Sequence, residues 1–151
     1  MSEREKNLYR LANAELNVLN QHYIINYFLF KDIEQALQQF ATGKALDLGC
    51  GNKPYRELFT FPVTEYIGCD IIQSSGNRVD VICPATALNF DDGIFDTVFS
   101  TQVIEHVDDH QKMLSETNRV LKNNGHAIFT IPFNWELHEE PFDFFRFSKY
   151  G

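Results

Sequence analysis

Asp47, Gly49, Gly51 and Asp70 are the residues whose types and spacing first suggest chemistry. The run LDLGCG, Leu46 to Gly51, closes an apolar stretch with one carboxylate and two glycines. Glycine is needed where backbone bends sharply or must approach a ligand with no Cβ in the way. Nineteen residues beyond Gly51, a second apolar stretch ends in Asp70, where a carboxylate can accept both hydroxyls of a ribose. Together these two signals fit an adenosine-containing ligand. A dinucleotide's pyrophosphate would require GxGxxG running straight into a helix, but Asn52, Lys53 and Pro54 follow Gly51. A negative charge beside the glycines, at Asp47, suits a ligand with a cationic amino-acid head better than a phosphate. Spacing alone leaves alternatives open: Asp47 could satisfy turn amides at a strand end, and Asp70 could cap a helix.

The elements that must position these residues follow from hydrophobic periodicity. Between Glu3 and Phe40, Leu8, Leu11, Leu19, Ile24, Phe28, Ile33, Leu37 and Phe40 recur at mostly helical spacings with no Pro or Gly, which predicts two consecutive helices over residues 1–43. KALDLG then reads as a buried first strand. PYRELF supplies about two helical turns before Pro62. EYIGCDI, RVDVIC and FDTVFSTQ read as strands two to four. Asp108 or Asp109 caps a helix running from His110 to Leu121, with Met113, Leu114, Thr117, Val120 and Leu121 on one face and Asn124-Gly125 closing it. HAIFTIP is strand five. Strands with apolar centres alternating with helices or long crossovers predict an α/β fold, a mostly parallel Rossmann-like sheet covered on both faces. The tail FNWELHEEPFDFFRFSKYG reads as an active-site loop leading into an unfinished helix.

Composition bounds the rest. At 151 residues and 17.5 kDa, against roughly 100–200 residues per domain, the chain is one domain or one domain cut short. Its 44% apolar content supports a core. A net charge of −8 argues against a phosphate-binding surface, so nucleic acid is not an expected partner. The longest apolar run, Tyr23 to Phe30, is eight residues, far short of the roughly 20 that span a bilayer. The amino terminus, MSEREKN, lacks the apolar stretch of a secretory signal, so the protein is expected to be cytoplasmic and away from membranes. Cys50, Cys69 and Cys83 show no CxxC spacing and read as reduced, buried hydrophobes.

At this point the sequence resembles the class I S-adenosylmethionine-dependent methyltransferases, particularly their small-molecule branch. The resemblance covers residues 44–151 and is carried by LDLGCGNKPY, YIGCD, VDVICPATALNF, FDTVFSTQVIEHV and RVLKNNGHAIFTIP. It implies that Gly49 and Gly51 lie under the methionine part of S-adenosylmethionine and Asp47 near its amino group. By the same resemblance Asp70 holds the ribose, Ile71 packs on adenine, Ala85 gives the base a backbone contact, and Thr101 and Gln102 face the methionine moiety. Two positions depart from the family pattern. Lys53 stands where the turn often carries a third glycine, and Pro84 stands where many relatives place an aspartate that accepts from the adenine amino group.

The implied reaction is methyl transfer to a small-molecule acceptor. A non-catalytic module that binds S-adenosylmethionine or its demethylated product is one alternative, and a nicotinamide-dependent oxidoreductase, which fails the GxGxxG test, is another. His106 is the candidate general base, and His138 and Arg146, with Asp143, are candidate substrate contacts, although a solvated loop or an internal ion pair explains the tail residues as well. His106 and His110 could share a helix face, but no HExxH accompanies them and no metal site is expected. In the family, strand five is followed by a further helix and two strands. The chain is therefore expected to be a truncated form whose fifth strand is an exposed apolar edge, inviting self-association into a homo-oligomer.

Overall fold

A computed structural model describes residues 23–138, 140–148 and 150. The first expected helix lies outside these residues. The second is α1, Tyr23–Phe40, followed in order by β1 (Gly43–Leu48), β2 (Val63–Asp70), β3 (Val81–Ile82), β4 (Phe95–Thr101), α2 (His110–Val120) and β5 (Leu121–Thr130). The five strands form one sheet in the order β3-β2-β1-β4-β5, and every neighbouring pair runs parallel. The predicted α/β Rossmann-like sheet is therefore the observed one.

Strand alternation divides the core in two. Leu46, Leu48 and Val98 point to one face, where they join Cys69, Phe95, Met113 and Val120 beneath α2. Ala45, Phe99 and Ile128 point to the other, meeting Ile33 and Leu37 of α1 together with Tyr55 and Phe59. α1 buries Ile33 and Leu37, which are four residues apart and so share a face. The three cysteines are free and buried, as expected.

Four sequence expectations need correcting. PYRELF forms only a single 3-10 turn at Arg56–Leu58, because Tyr55 and Phe59 turn inward against Phe99 and their packing overrides helical spacing. α2 ends at Val120, before Asn124-Gly125. Asn124 instead adopts a positive φ of 67° in a bulge that shifts the β4–β5 register between Phe95–Leu121 and Thr97–His126. On α2, Leu114 is exposed, while Glu116 is buried in its place. The tail forms no helix among the described residues. Of the two candidate caps it is Asp109 that accepts from the Lys112 amide.

The buried Glu116 has a structural task. Its carboxylate accepts from the Leu88 amide at 2.8 Å and from Arg119 at 2.9 Å. Arg119 in turn donates to the Leu88 and Phe90 carbonyls and to Asp92. The loop between β3 and β4 is thereby stapled to α2. The Arg119 guanidinium and the Leu88 amide hold the Glu116 carboxyl down to about 2 from an ordinary 4.5. A depressed pKa means that the contribution to stability is complete above pH 4.5 and is lost as pH falls toward 2. Glu116→Gln should therefore lower the unfolding free energy at neutral pH by about 1.5–3 kcal/mol, the range for hydrogen bonds to a charged group. Urea titrations at several pH values should show the gap to wild type closing in that acid window.

Candidate cofactor crevice

β1 feeds β2 and β3 on one side, and the chain then crosses to place β4 on the other. The strand order reverses between β1 and β4, which is where open α/β sheets bind ligands, beyond the carboxyl ends of their strands. The turn after β1, Asp70 at the end of β2 and the exit of β4 all lie at this end.

The turn is clamped to β2. Gly49 and Cys50 both donate to the Cys69 carbonyl, at 2.9 and 3.0 Å. Gly51 donates to Asp70 Oδ2 at 3.0 Å, and the Ile71 amide donates to Oδ1 at 2.7 Å. A carboxylate offers about four acceptor positions, and Asp70 uses two of them to tie the turn to the segment after β2. Ile71, next to it, is exposed, an open apolar surface of the kind that a flat base covers. Ala85, half-buried, packs against the α2-side core.

Asp47 lies on the same end of the sheet but is sealed, with only 2% of its surface exposed. Its carboxylate accepts from the Tyr66 hydroxyl of β2, rather than from turn amides. Burial pushes its pKa up to about 7, opposed by that hydrogen bond and by Lys53. Sequence reasoning missed Tyr66, because the contact depends on the β1–β2 register, in which Ala45 faces Tyr66 and Asp47 faces Gly68. The only sequence signal is Gly68, whose missing side chain lets Lys53 and Cys50 lie across the strand.

Lys53 has a φ of 59°, the left-handed conformation that glycine adopts readily. The departure from a third glycine therefore leaves the backbone path intact. Its ammonium crosses to Asp80, 2.5 Å away, and Asp80 also accepts from the Gly68 amide.

On the β4 side, Thr101 and Gln102 reach the crevice end of the sheet, but their polar groups face β5. The hydroxyls of Thr101 and Thr130 are hydrogen-bonded, Gln102 donates to the Thr130 carbonyl at 3.0 Å, and its side-chain amide donates to the Thr130 hydroxyl at 3.3 Å. The Tyr55 hydroxyl also bonds Thr101.

The next turn, Ile104–His106, is 3-10. His106 and His110 therefore do not share a helix face, since α2 begins at His110. His106 Nδ1 lies 2.8 Å from the Phe142 carbonyl, and its Nε2 lies 3.8 Å from the buried Glu105 carboxylate. In the tail, Arg146 directs both terminal nitrogens to Asp143 and also donates to the carbonyls of Trp135, Glu136 and Phe145. That arrangement braces the tail. Its guanidinium holds the Asp143 carboxyl down to about 2. His138 Nδ1 approaches the same carboxylate at 3.2 Å.

A shallow cavity of about 450 Å³ touches Leu88, Phe90, Ile94 and Arg119, at the opposite end of β4 from Thr101, and so lies away from the ligand-binding end of the sheet.

A parallel sheet with this reversal, a glycine turn and a carboxylate at the end of β2 defines a nucleoside-binding α/β domain. A family model described as a methyltransferase domain matches residues 46–129, more than half of the chain. The chain belongs to the class I S-adenosylmethionine-dependent methyltransferases. It is 32% identical over 109 residues to MJ0638 of Methanocaldococcus jannaschii, an uncharacterised protein, covering 68% of this chain and 48% of that one. It is 44% identical over 43 residues to the sarcosine/dimethylglycine N-methyltransferase of Halorhodospira halochloris, covering 28% and 15%. The structure resembles the S-adenosylmethionine-dependent methyltransferase of Mesorhizobium loti with a TM-score of 0.56 at 20% identity, over 67% of this chain and 53% of that chain. The chain thus spans about half the length of several of these relatives.

Gly49 tests the packing of the crevice. Its φ is 80°, and a Cβ there would stand 2.3 Å from a Val103 methyl. Gly49→Ala combines left-handed strain of about 1–2 kcal/mol with overpacking of about 1–3 kcal/mol. Chemical denaturation should show a loss of about 2–4 kcal/mol, partly recovered when Val103→Ala is added.

Proposed function

We propose that the chain binds S-adenosylmethionine in this crevice and transfers its methyl group to a small-molecule acceptor. The observation that carries the reading is the pairing of Asp47 and Asp70, on adjacent parallel strands at one end of the sheet, with the glycine turn tied between them. The donor set fits the cofactor: a carboxylate for the diol, open Ile71 for the base and an anionic group for the ammonium. When bound, the cofactor supplies an electrophilic methyl on a sulfonium that loses its charge as the methyl leaves. Asp70 fixes the ribose, Asp47 attracts the amino group, and the β4 exit borders the space where the acceptor stands. Orientation of this kind supplies up to roughly 7–11 kcal/mol of barrier reduction. A general base adds about 10²–10⁴-fold, and only for an acceptor that carries a proton. A chain of net charge −8 favours a small acceptor over a polyanion, and the Halorhodospira relative is named for small amines.

Calorimetry with S-adenosylmethionine and, separately, with NAD tests the cofactor. Binding of the first without the second supports the reading, and the reverse overturns it. Production of S-adenosylhomocysteine with an added acceptor tests transfer, and tight binding without turnover would mark a non-catalytic module instead. Asp70→Ala should weaken S-adenosylmethionine binding by about 1.5–3 kcal/mol, the scale of a charged hydrogen bond, and unchanged affinity would remove Asp70 from the site.

Asp47 adds a pH dependence. Its carboxyl is raised from 3.8 to about 7 in the fold, so the native state holds the proton more tightly than the unfolded chain. This favours the fold below pH 3.8, and the advantage is lost as pH rises to about 7. A cationic ammonium favours the ionised form, so affinity for S-adenosylmethionine should rise as pH climbs through about 7. Calorimetry across that range should show the dependence in wild type and a flat profile in Asp47→Asn.

A further inference from the structure

Among the described residues, one cluster of potential metal ligands gathers at the exit of β4. Glu105, His106 and His138 each offer a donor atom, and these atoms lie within 4.8 Å of one another. Glu105 is wholly buried and the two histidines are half-buried. They come from different places: Glu105 and His106 from the turn leaving β4, and His138 from the tail beyond β5. The tail is pinned against that turn by the Phe144 amide, which donates to the Glu105 carbonyl at 2.9 Å, and by the contact between His106 Nδ1 and the Phe142 carbonyl at 2.8 Å.

The surroundings of the two rings set their tautomers. A carbonyl only accepts, so His106 carries its proton on Nδ1 and keeps the Nε2 lone pair, on the side where Glu105 Oε1 lies 3.8 Å away. His138 Nδ1 faces two acceptors, the Asp143 carboxylate at 3.2 Å and the Glu136 carbonyl at 3.2 Å. Its proton is likewise fixed on Nδ1, and its Nε2 keeps a lone pair. Metal-binding histidines are characteristically held in this way, with the second ring nitrogen donating to a carbonyl or carboxylate that orients the ring and raises its basicity. The rings meet edge to face, with centroids 4.8 Å apart. Charge also fits. Asp143 is paired with Arg146, and the Glu105 carboxylate supplies the anionic donor of the group.

We propose that Glu105, His106 and His138 form a two-histidine, one-carboxylate site for a divalent transition-metal ion such as zinc or cobalt, which fastens the tail to the exit of β4. Ligand bonds of about 2.0–2.2 Å set donor atoms roughly 3.4 Å apart in a tetrahedral site, a closure within the torsional reach of these side chains. Two imidazoles select against magnesium and calcium, which prefer all-oxygen shells. His106 is then a ligand rather than a free base. Metal uptake is read directly, so its test requires no cofactor.

The whole chain, stripped with a chelator, is titrated with Co2+ alone and followed by visible absorption, with Zn2+ then added in competition. The expected result is one Co2+ per chain, displaced by Zn2+, with affinity at least tenfold weaker in His138→Gln and in Glu105→Gln. Thermal melts give a second readout: Zn2+ should raise the Tm of wild type and leave that of His138→Gln unmoved. His138→Gln lies in the tail, and its melt without metal reports whether it folds. Uptake of Co2+ that is equal in wild type and both variants, or no uptake by folded wild type, overturns the proposal.

Discussion

The structure depends on one shared acceptor, the carboxylate of Asp70. It takes the Gly51 amide from the turn after β1 and the Ile71 amide from the segment after β2, so that two loops reversing direction on adjacent strands are fixed to a single side chain that is 8% exposed. Charge-assisted hydrogen bonds are shorter and roughly twice as strong as neutral ones, which is why a carboxylate rather than a hydroxyl or amide suits that position. The Cys69 carbonyl, one residue earlier, secures the other two turn amides. The path of the glycine turn, the seal over Asp47 and the left-handed Lys53 all follow from this clamp.

Asp47 illustrates the cost that such a clamp permits. A carboxyl group buried to this degree disfavours its own charge, and the Tyr66 hydroxyl compensates only in part, so the proton stays near neutral pH. Such a group is poorly placed to stabilise a fold and well placed to respond to a cation. Residues with perturbed protonation in a crevice are candidates for function on that physical ground.

Much of this architecture was legible in the chain. Apolar, β-branched runs located β1, β2 and β4 closely, and β1 and β4 are buried along most of their length, which leaves a continuous apolar run. The spacing of Asp47, Gly51 and Asp70 anticipated a shared site, because a glycine turn between parallel strands fixes where the next carboxylate emerges. The parts that could not be read depend on register or on distant packing. Tyr66 reaches Asp47 through a cross-strand diagonal, Glu116 is buried because a loop amide needs an acceptor, and the bulge at Asn124 restores strand pairing after α2. His138 meets His106 across thirty-two residues, with no periodic element in the tail to announce it. Arg146 was readable as one half of an internal ion pair, as found with Asp143, but its bonds to the carbonyls of Trp135, Glu136 and Phe145 were not.

The staple between Glu116, Arg119 and the loop leading into β4 anchors one side of the sheet differently from the other. Residues 88–92 are fastened to a helix that is itself packed into the core, so this loop shares the anchorage of the scaffold. Beyond β5, the described residues of 131–148 hold to the rest of the domain through polar ties and through Phe145 and Phe147 against His110, and they form no regular element. Exchanges of sequence on the side without regular elements thus leave the sheet's own pairing untouched, while those on the stapled side disturb the helix that covers it.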